Sequence, residues 1–126
     1  MKVLLIAADA SLRQNLPFVL GKAGRFEVVL AHDSREAASL ARRQRVDVAI
    51  VDLQAPGRAG LGLVRAAHAA LPGIPLAAVA MRIYAEYRTA CLASGANCVV
   101  DKSGELEDLV QVIRLLGLQG AGARIH

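Results

Sequence analysis

The stretch DVAIVDLQAPGRAG, residues 47–60, decides how this chain is interpreted. Four apolar residues, Val48 to Val51, precede a single carboxylate, Asp52, and a turn follows that contains Pro56 and two glycines. A short apolar run that ends at turn residues is typical of a strand buried on both faces. The pattern therefore predicts a buried strand whose exit carries Asp52.

Similar apolar runs recur along the chain, and helical patterns separate them. The alternation predicts an α/β fold in which helices cover both faces of a parallel sheet: a flavodoxin-like three-layer (βα)5 sandwich with strand order 2-1-3-4-5. We assign residues 1–116 to this domain and 117–126 to a Gly-rich tail or linker. The strands are predicted at 2–7, 26–31, 47–52, 74–80 and 97–101, and the last helix at 105–116.

Composition excludes several classes of protein. The chain has 126 residues and a net charge of +4, and no apolar run approaches the roughly 20 residues of a membrane span. The first residues do not read as a signal peptide, so we expect a cytoplasmic protein. Arg42, Arg43 and Arg45 cluster without aromatic neighbours, which favours a solvated helix end over direct contact with nucleic acid. Cys91 and Cys98 lack metal-ligand spacing and are expected in the core.

The exits of the predicted strands bring polar residues to one edge of the sheet. Asp9 follows the first strand, Asp52 ends the third, Ala80 ends the fourth and Lys102 follows the fifth. Ligands of open α/β sheets bind at this edge, where the strand order reverses. We therefore expect Asp52 and Lys102 to face each other in one pocket.

Known catalytic and nucleotide-binding motifs do not fit this pocket. The turn after the first strand lacks the glycines of a dinucleotide loop, and the glycines of GRAGLG (57–62) have the wrong spacing. No Gly-x-Ser-x-Gly elbow exists, and Cys91 has no evident histidine partner. We therefore predict no catalytic residues and no enzyme activity.

Taken together, these motifs resemble the receiver domain of two-component response regulators. The resemblance covers residues 2–116 and depends on D-V-A-I-V-D-L-x-x-P-G-x-x-G, on the segment 93–96 (ASGA) and on Lys102. It implies that Asp52 matches the phosphoacceptor and Lys102 the lysine that contacts the phosphoryl group. The last helix, ELEDLVQVIRLL, is similar to receivers of the LuxR type, which implies a sensor histidine kinase as partner and an attached helix-turn-helix DNA-binding domain.

The chain departs from this family at several positions of the pocket. Members carry two adjacent acids that hold Mg²⁺, where this chain has Ala7 and Ala8; Asp9 stands one place later. Ala80 replaces the Ser or Thr that ends the fourth strand, and Val99 replaces the switch aromatic. Of the usual metal ligands only Asp52 and the carbonyl of Gln54 would remain. We therefore expect weak Mg²⁺ binding or none, and no metal or cofactor in the resting protein.

These losses predict a degenerate receiver. A pocket that holds Asp52 against Lys102 is neutral, so a structural ion pair is its expected resting state. The domain would then act as a regulatory module through protein contacts. Two alternatives stay open: a working phosphoacceptor that uses Asp9 as a substitute ligand, and a sensor of a small ligand in the vacated pocket.

Surface residues near the fourth helix offer a contact site. Ile83, Tyr84 and Tyr87 lie at its start, and both half-buried packing and a partner or dimer surface are compatible with them. Arg82 is expected near the pocket mouth, where it either faces solvent or receives an anion together with Lys102. We also expect a homodimer through the first and fifth helices or through the fourth.

Overall fold

The computed structural model describes residues 1–7, 10–53, 57–81, 83–101 and 106–125. Strands and helices alternate along these residues in the predicted order. The elements are β1 (Lys2–Ile6), α1 (Ala10–Ala23), β2 (Glu27–Ala31), α2 (Ser34–Arg43), β3 (Val48–Asp52), α3 (Arg58–Ala70), β4 (Leu76–Ala80), α4 (Ala85–Ala93), β5 (Cys98–Asp101) and α5 (Leu106–Ile125).

The strands form one parallel sheet in the order β2-β1-β3-β4-β5, which confirms the predicted flavodoxin-like fold. Ile6 pairs with Val51 across β1 and β3, and Asp52 pairs with Val79 across β3 and β4. Because the strand order reverses between β1 and β3, a crevice is expected beyond their carboxyl ends. Asp52, the last residue of β3, lies at that edge.

Alternating strand residues face two apolar cores, one on each side of the sheet. Core A lies under α2, α3 and α4, and it includes Leu4, Ile6, Ala49, Val51, Ala78, Ala80, Val64, Ala67 and Cys91. Core B lies under α1 and α5, and it includes Val3, Leu5, Ala7, Val48, Ile50, Val79, Leu16, Leu20, Leu109 and Ile113. Burial on both faces explains why the strand sequences are apolar almost throughout.

Helix ends follow the signals in the sequence. The carboxylate of Asp33 accepts a hydrogen bond of 2.8 Å from the amide of Glu36, so Asp33 caps α2. Glu36 Oε1 in turn accepts from the amide of His32 at 3.1 Å. After α4, Gly95 takes a φ of 125°, a conformation that side chains other than glycine rarely adopt, and this residue ends the helix.

The last helix is longer than its pattern predicts. We expected it to end at residue 116, but α5 continues to Ile125 through several glycines. Each glycine costs about 1 kcal/mol of helix stability relative to alanine. The first half of α5 is already held as a helix by its packing in core B. The helix can therefore extend through the glycines without a new nucleation step, which is the costly step in helix formation. Gly117 also has a packing role, because a methyl group there would overlap the side chain of Met1.

Both cysteines are core residues, as their isolation in the sequence indicates. Cys91 is buried in core A, whereas Cys98 is partly buried and packs against core B on the other side of the sheet. Burial raises the pKa of both thiols, that of Cys98 to about 11. Within the residues described above, no helix is long and apolar enough to cross a membrane.

Candidate functional site

The crevice is built around Asp52. Its side chain is only 3% exposed, the one buried charged residue among those described. The next amide, that of Leu53, donates to the carbonyl of Val79 at 2.8 Å, which keeps the end of β3 in the sheet. The carboxylate takes part in a polar or electrostatic interaction. Its predicted partner, Lys102, lies outside the described residues.

Ala7 stands directly beside Asp52. The register that pairs Ile6 with Val51 places the next residues, Ala7 and Asp52, side by side on the same face of the sheet. The amide of Ala7 donates to the carbonyl of Ala31 at 3.0 Å, so this residue still follows the sheet ladder. Ala7 is 1% exposed and packs in core B. A methyl group therefore occupies a place where the family resemblance implies an oxygen ligand.

Ala80 faces the other side of the sheet from Ala7 and Asp52. It ends β4, is fully buried and packs in core A, on the opposite face from Val79. Val99, the position of the switch aromatic, is buried in the same core. The two positions that the family resemblance assigns to switching thus carry a methyl and an isopropyl group. Neither group can form a hydrogen bond to a ligand of Asp52.

The donor set at the crevice does not suit Mg²⁺. This ion prefers octahedral coordination by oxygen atoms. Among the residues the structure describes, no cluster of three His, Cys, Asp or Glu side chains could hold a metal. Asp52 is the one buried carboxylate among these residues, and Asp101, which ends β5, is partly exposed. The other predicted pocket residues, Ala8, Asp9, Gln54 and Arg82, lie outside the described part of the chain.

The three predicted contact residues at the start of α4 differ in their exposure to solvent. Ile83 and Tyr87 are half-buried and pack against core A, as the packing hypothesis states. The hydroxyl of Tyr87 donates to the carbonyl of Gly57 at 3.2 Å. Burial and then the neighbouring Cys91 thiol raise the pKa of Tyr87, while the bond to Gly57 opposes that shift. Tyr84, in contrast, is 70% exposed and remains available for a contact.

Arg88 makes a second attachment of α4, which our sequence analysis missed. Its Nη1 atom donates to the carbonyl of Val99 on β5 at 2.5 Å. The acceptor belongs to the backbone of an edge strand, so no pattern of residue types indicates it. Arg88 therefore satisfies a carbonyl of β5, the last strand in the order of the sheet.

A groove between α1 and α5 is the other feature of the surface. Its volume is about 510 Å³, and its lining includes Phe18, Lys22 and Arg114. Phe18 is 65% exposed, and Leu115 and Leu118 on α5 are exposed to 63% and 67%. The ammonium group of Lys22 lies 4.4 Å from the centre of the Phe18 ring. Large apolar side chains of both α1 and α5 are thus exposed to solvent.

Comparison with known sequences agrees with the fold. The response regulator receiver domain family matches residues 3–114. The virulence transcriptional regulatory protein PhoP of Salmonella typhimurium is 30% identical over 122 residues, which cover 97% of this chain and 54% of PhoP. The probable transcriptional regulatory protein TcrX of Mycobacterium tuberculosis is 29% identical and covers 90% of this chain and 48% of TcrX. This chain thus spans about half the length of these curated relatives.

Solved structures agree as well. The chemotaxis protein CheY4 of Vibrio cholerae superposes with a TM-score of 0.75 at 29% identity, over 91% of this chain and 97% of that one. The receiver domain of the Francisella response regulator 1452 has a TM-score of 0.78 at 21% identity, over 94% and 97%, and it supports the fold alone. Because the family match includes most of the chain and the sheet order agrees, this chain belongs to the response regulator receiver domain family.

Proposed function

We propose that this receiver domain regulates through protein contacts and has weak or no Mg²⁺-dependent phosphorylation at Asp52. The observation that supports the proposal is the position of Ala7. Its methyl group lies beside the Asp52 carboxylate on the same face of the sheet, where it can offer no oxygen. On this proposal the domain is a signalling module with no cofactor of its own, and it is not an enzyme.

The chemistry of phosphoryl transfer explains why this substitution matters. Transfer to a carboxylate brings two anions together, and a bound cation normally neutralises that charge and orients the oxygens. One buried carboxylate surrounded by Ala7, Ile50 and Val79 is a poor site for such a cation. Lys102 is the expected counter-charge of Asp52, and a pair of this kind is neutral without metal. The phosphoacceptor position then has a structural role.

Titration of the intact chain with Mg²⁺, followed by NMR, tests the proposal. We expect no saturable shifts near Asp52 at millimolar Mg²⁺, and no stable modification by a small acyl phosphate. Asp52→Asn is the control, because a real acceptor loses its response in this variant. Saturable binding together with uptake of phosphate that Asp52→Asn abolishes would refute the proposal and favour the working phosphoacceptor, with Asp9 as substitute ligand. Ligand-dependent stabilisation without metal would favour the small-ligand sensor.

The family and the relatives suggest the wider setting. PhoP and TcrX are described as transcriptional regulatory proteins, and this chain matches about half of each. We infer that the domain controls a DNA-binding effector in a cytoplasmic response regulator, and that a sensor histidine kinase is a candidate partner. The likeness of α5 to LuxR-type receivers stays a prediction. Contact with DNA would then belong to the effector and not to this domain.

The surface between α1 and α5 is the contact site that we favour for a homodimer. Phe18 is mostly exposed in the lining of the groove, and Leu115 and Leu118 are mostly exposed on α5, one of the two helices that flank it. A two-fold axis would place this surface of one copy against the same surface of the other copy. The same side chains would then be buried on both copies. Tyr84 and Leu92 offer a smaller alternative on α4.

A further inference from the structure

Two consecutive side chains of α4 attach this helix to different parts of the molecule. Tyr87 donates to the carbonyl of Gly57 at the start of α3, and Arg88 donates to the carbonyl of Val99 on β5. Neighbouring residues of a helix point about 100° apart, so the two attachments hold α4 from two sides. Both acceptors are backbone atoms, so the position of α4 depends on where those backbones lie.

The carbonyl of Gly57 has a special position with respect to the crevice. Gly57 is the N-cap of α3 and follows Asp52 by five residues in the chain. The same carbonyl also accepts from the amide of Leu61 at 3.2 Å, within the first turn of α3. Gly57 has a φ of 127°, so the chain turns sharply there. A displacement of Gly57 would therefore move an acceptor that α3 and Tyr87 share.

Tyr87 can respond to such a displacement because its ring and its hydroxyl have different partners. The ring packs against core A, whereas the hydroxyl donates to the carbonyl of Gly57 outside α4 and also interacts with the Cys91 thiol one turn along the same helix. The phenol stays protonated at neutral pH, since burial raises its pKa, and it therefore remains a donor. Arg88, which points about 100° away from Tyr87 around the helix, holds α4 against β5.

We propose that the Tyr87–Gly57 hydrogen bond couples the Asp52 crevice to helix α4, so that a change at Asp52 alters the exposed face of α4 that carries Tyr84 and Leu92. This route uses neither a hydroxyl at Ala80 nor an aromatic ring at Val99. It goes beyond the proposed function and does not depend on it, because any change of charge or occupancy at Asp52 would be transmitted in the same way.

The test measures how α4 responds to a charge change at Asp52. Asp52→Asn removes the charge with almost no change in shape, and the backbone amide shifts of residues 85–93 report the response. The substitution is made in the wild-type chain, in Tyr87→Phe and in Tyr84→Phe. Tyr87→Phe deletes only the hydroxyl, and Tyr84→Phe is the matched control, because Tyr84 is largely exposed on the same helix.

We expect the α4 response to fall by about half or more in Tyr87→Phe and to be unchanged in Tyr84→Phe. Equal responses in all three backgrounds would overturn the proposal. If Tyr87→Phe broadens the α4 signals, a double-mutant cycle of Asp52→Asn and Tyr87→Phe in chemical denaturation replaces the shifts. Non-additive denaturation midpoints then support the coupling, and additive midpoints overturn it. Phosphorylation is not needed for either readout, so failure of this inference is distinguishable from failure of the proposed function.

Discussion

The crevice and the attachment of α4 use polar chemistry in opposite ways. At the crevice, Ala7 places a methyl group beside Asp52, the single buried carboxylate of the described residues. At α4, Tyr87 and Arg88 direct polar groups to backbone carbonyls of the β3–α3 connection and of β5. Among the described residues, Asp52 is the one buried carboxylate at the crevice and Ala7 adds no oxygen ligand, whereas groups that hold neighbouring elements together are present beside it.

This difference indicates where the constraint on the domain lies. A hydrogen bond to a backbone carbonyl contributes about 1 kcal/mol, and a buried donor or acceptor left without a partner costs about 1–3 kcal/mol. Attachments of this kind hold α4 in one position without any ligand. A crevice in which alanine replaces an expected oxygen ligand can therefore coexist with a well-ordered contact surface.

The largest effect is expected when oxygen ligands are returned to the crevice. Ala7→Asp combined with Ala8→Asp should tighten Mg²⁺ binding by about two orders of magnitude, because carboxylate count sets affinity for hard cations. Ala7 packs in core B, so the variant should be less stable in chelator and recover when Mg²⁺ is added. Adding Ala80→Thr should support phosphate uptake, although Ala80 is fully buried and extra volume there costs about 1–3 kcal/mol.

The chain has no tryptophan, so calorimetry or NMR must measure the binding. Asp52→Asn in the restored variant is the control, and it should abolish phosphate uptake. If the restored variant binds no metal although it is folded, the backbone around the crevice differs from receiver geometry. The loss of ligands would then not explain the chemistry of this site.

A smaller effect is expected when the two candidate dimer surfaces are compared. Leu118→Asn should weaken a homodimer by about 100-fold, because a two-fold interface loses the burial of two leucines at about 1.5 kcal/mol each. Leu92→Asn on α4 is the matched variant, as Leu92 is also an exposed leucine on a helix, at 44%. Sedimentation measures both dissociation constants.

Two results would contradict a homodimer through α1 and α5. A wild-type chain that remains monomeric at high micromolar concentration would remove the dimer from the proposal. Dissociation by Leu92→Asn in place of Leu118→Asn would move the interface to α4, the helix that Tyr87 and Arg88 attach. The contact surface and the coupled surface would then be the same.

Much of the fold could be predicted because its signals are local. Apolar runs, the Asp33 cap and Gly95 correspond to strands and helix ends that the structure confirms. The extension of α5 could not be predicted, since its glycines oppose a helix and the contact of Gly117 with Met1 joins opposite ends of the chain. Asp52 was found from its motif, but the acceptors of Tyr87 and Arg88 are backbone atoms that leave no trace in the sequence.

The smallest effect concerns the thiol of Cys98, which tests how β5 is packed beside Arg88. Burial raises the pKa of Cys98 from about 9 to about 11, and the Arg88 charge opposes this shift. In the unfolded chain the thiol ionises near pH 9, whereas the folded chain keeps its proton up to about pH 11. The unfolded state therefore releases its proton first, so the free energy of unfolding should fall as pH rises through this window.

The expected loss is on the order of 1 kcal/mol, because solvent screens a thiol that is only partly buried, and it is confined to alkaline pH, because both states keep the proton below the window. Chemical denaturation followed by circular dichroism between about pH 8 and pH 10.5 measures it. In Cys98→Ala the free energy of unfolding should fall less with pH. A smaller fall should remain, because burial also raises the pKa values of Cys91 and Tyr87. Arg88→Leu should raise the pKa of Cys98 further, because it removes the opposing charge. Parallel stability curves for the wild type and Cys98→Ala would show that β5 is more open to water than the structure indicates, and would weaken the assignment of Arg88 as an attachment of α4.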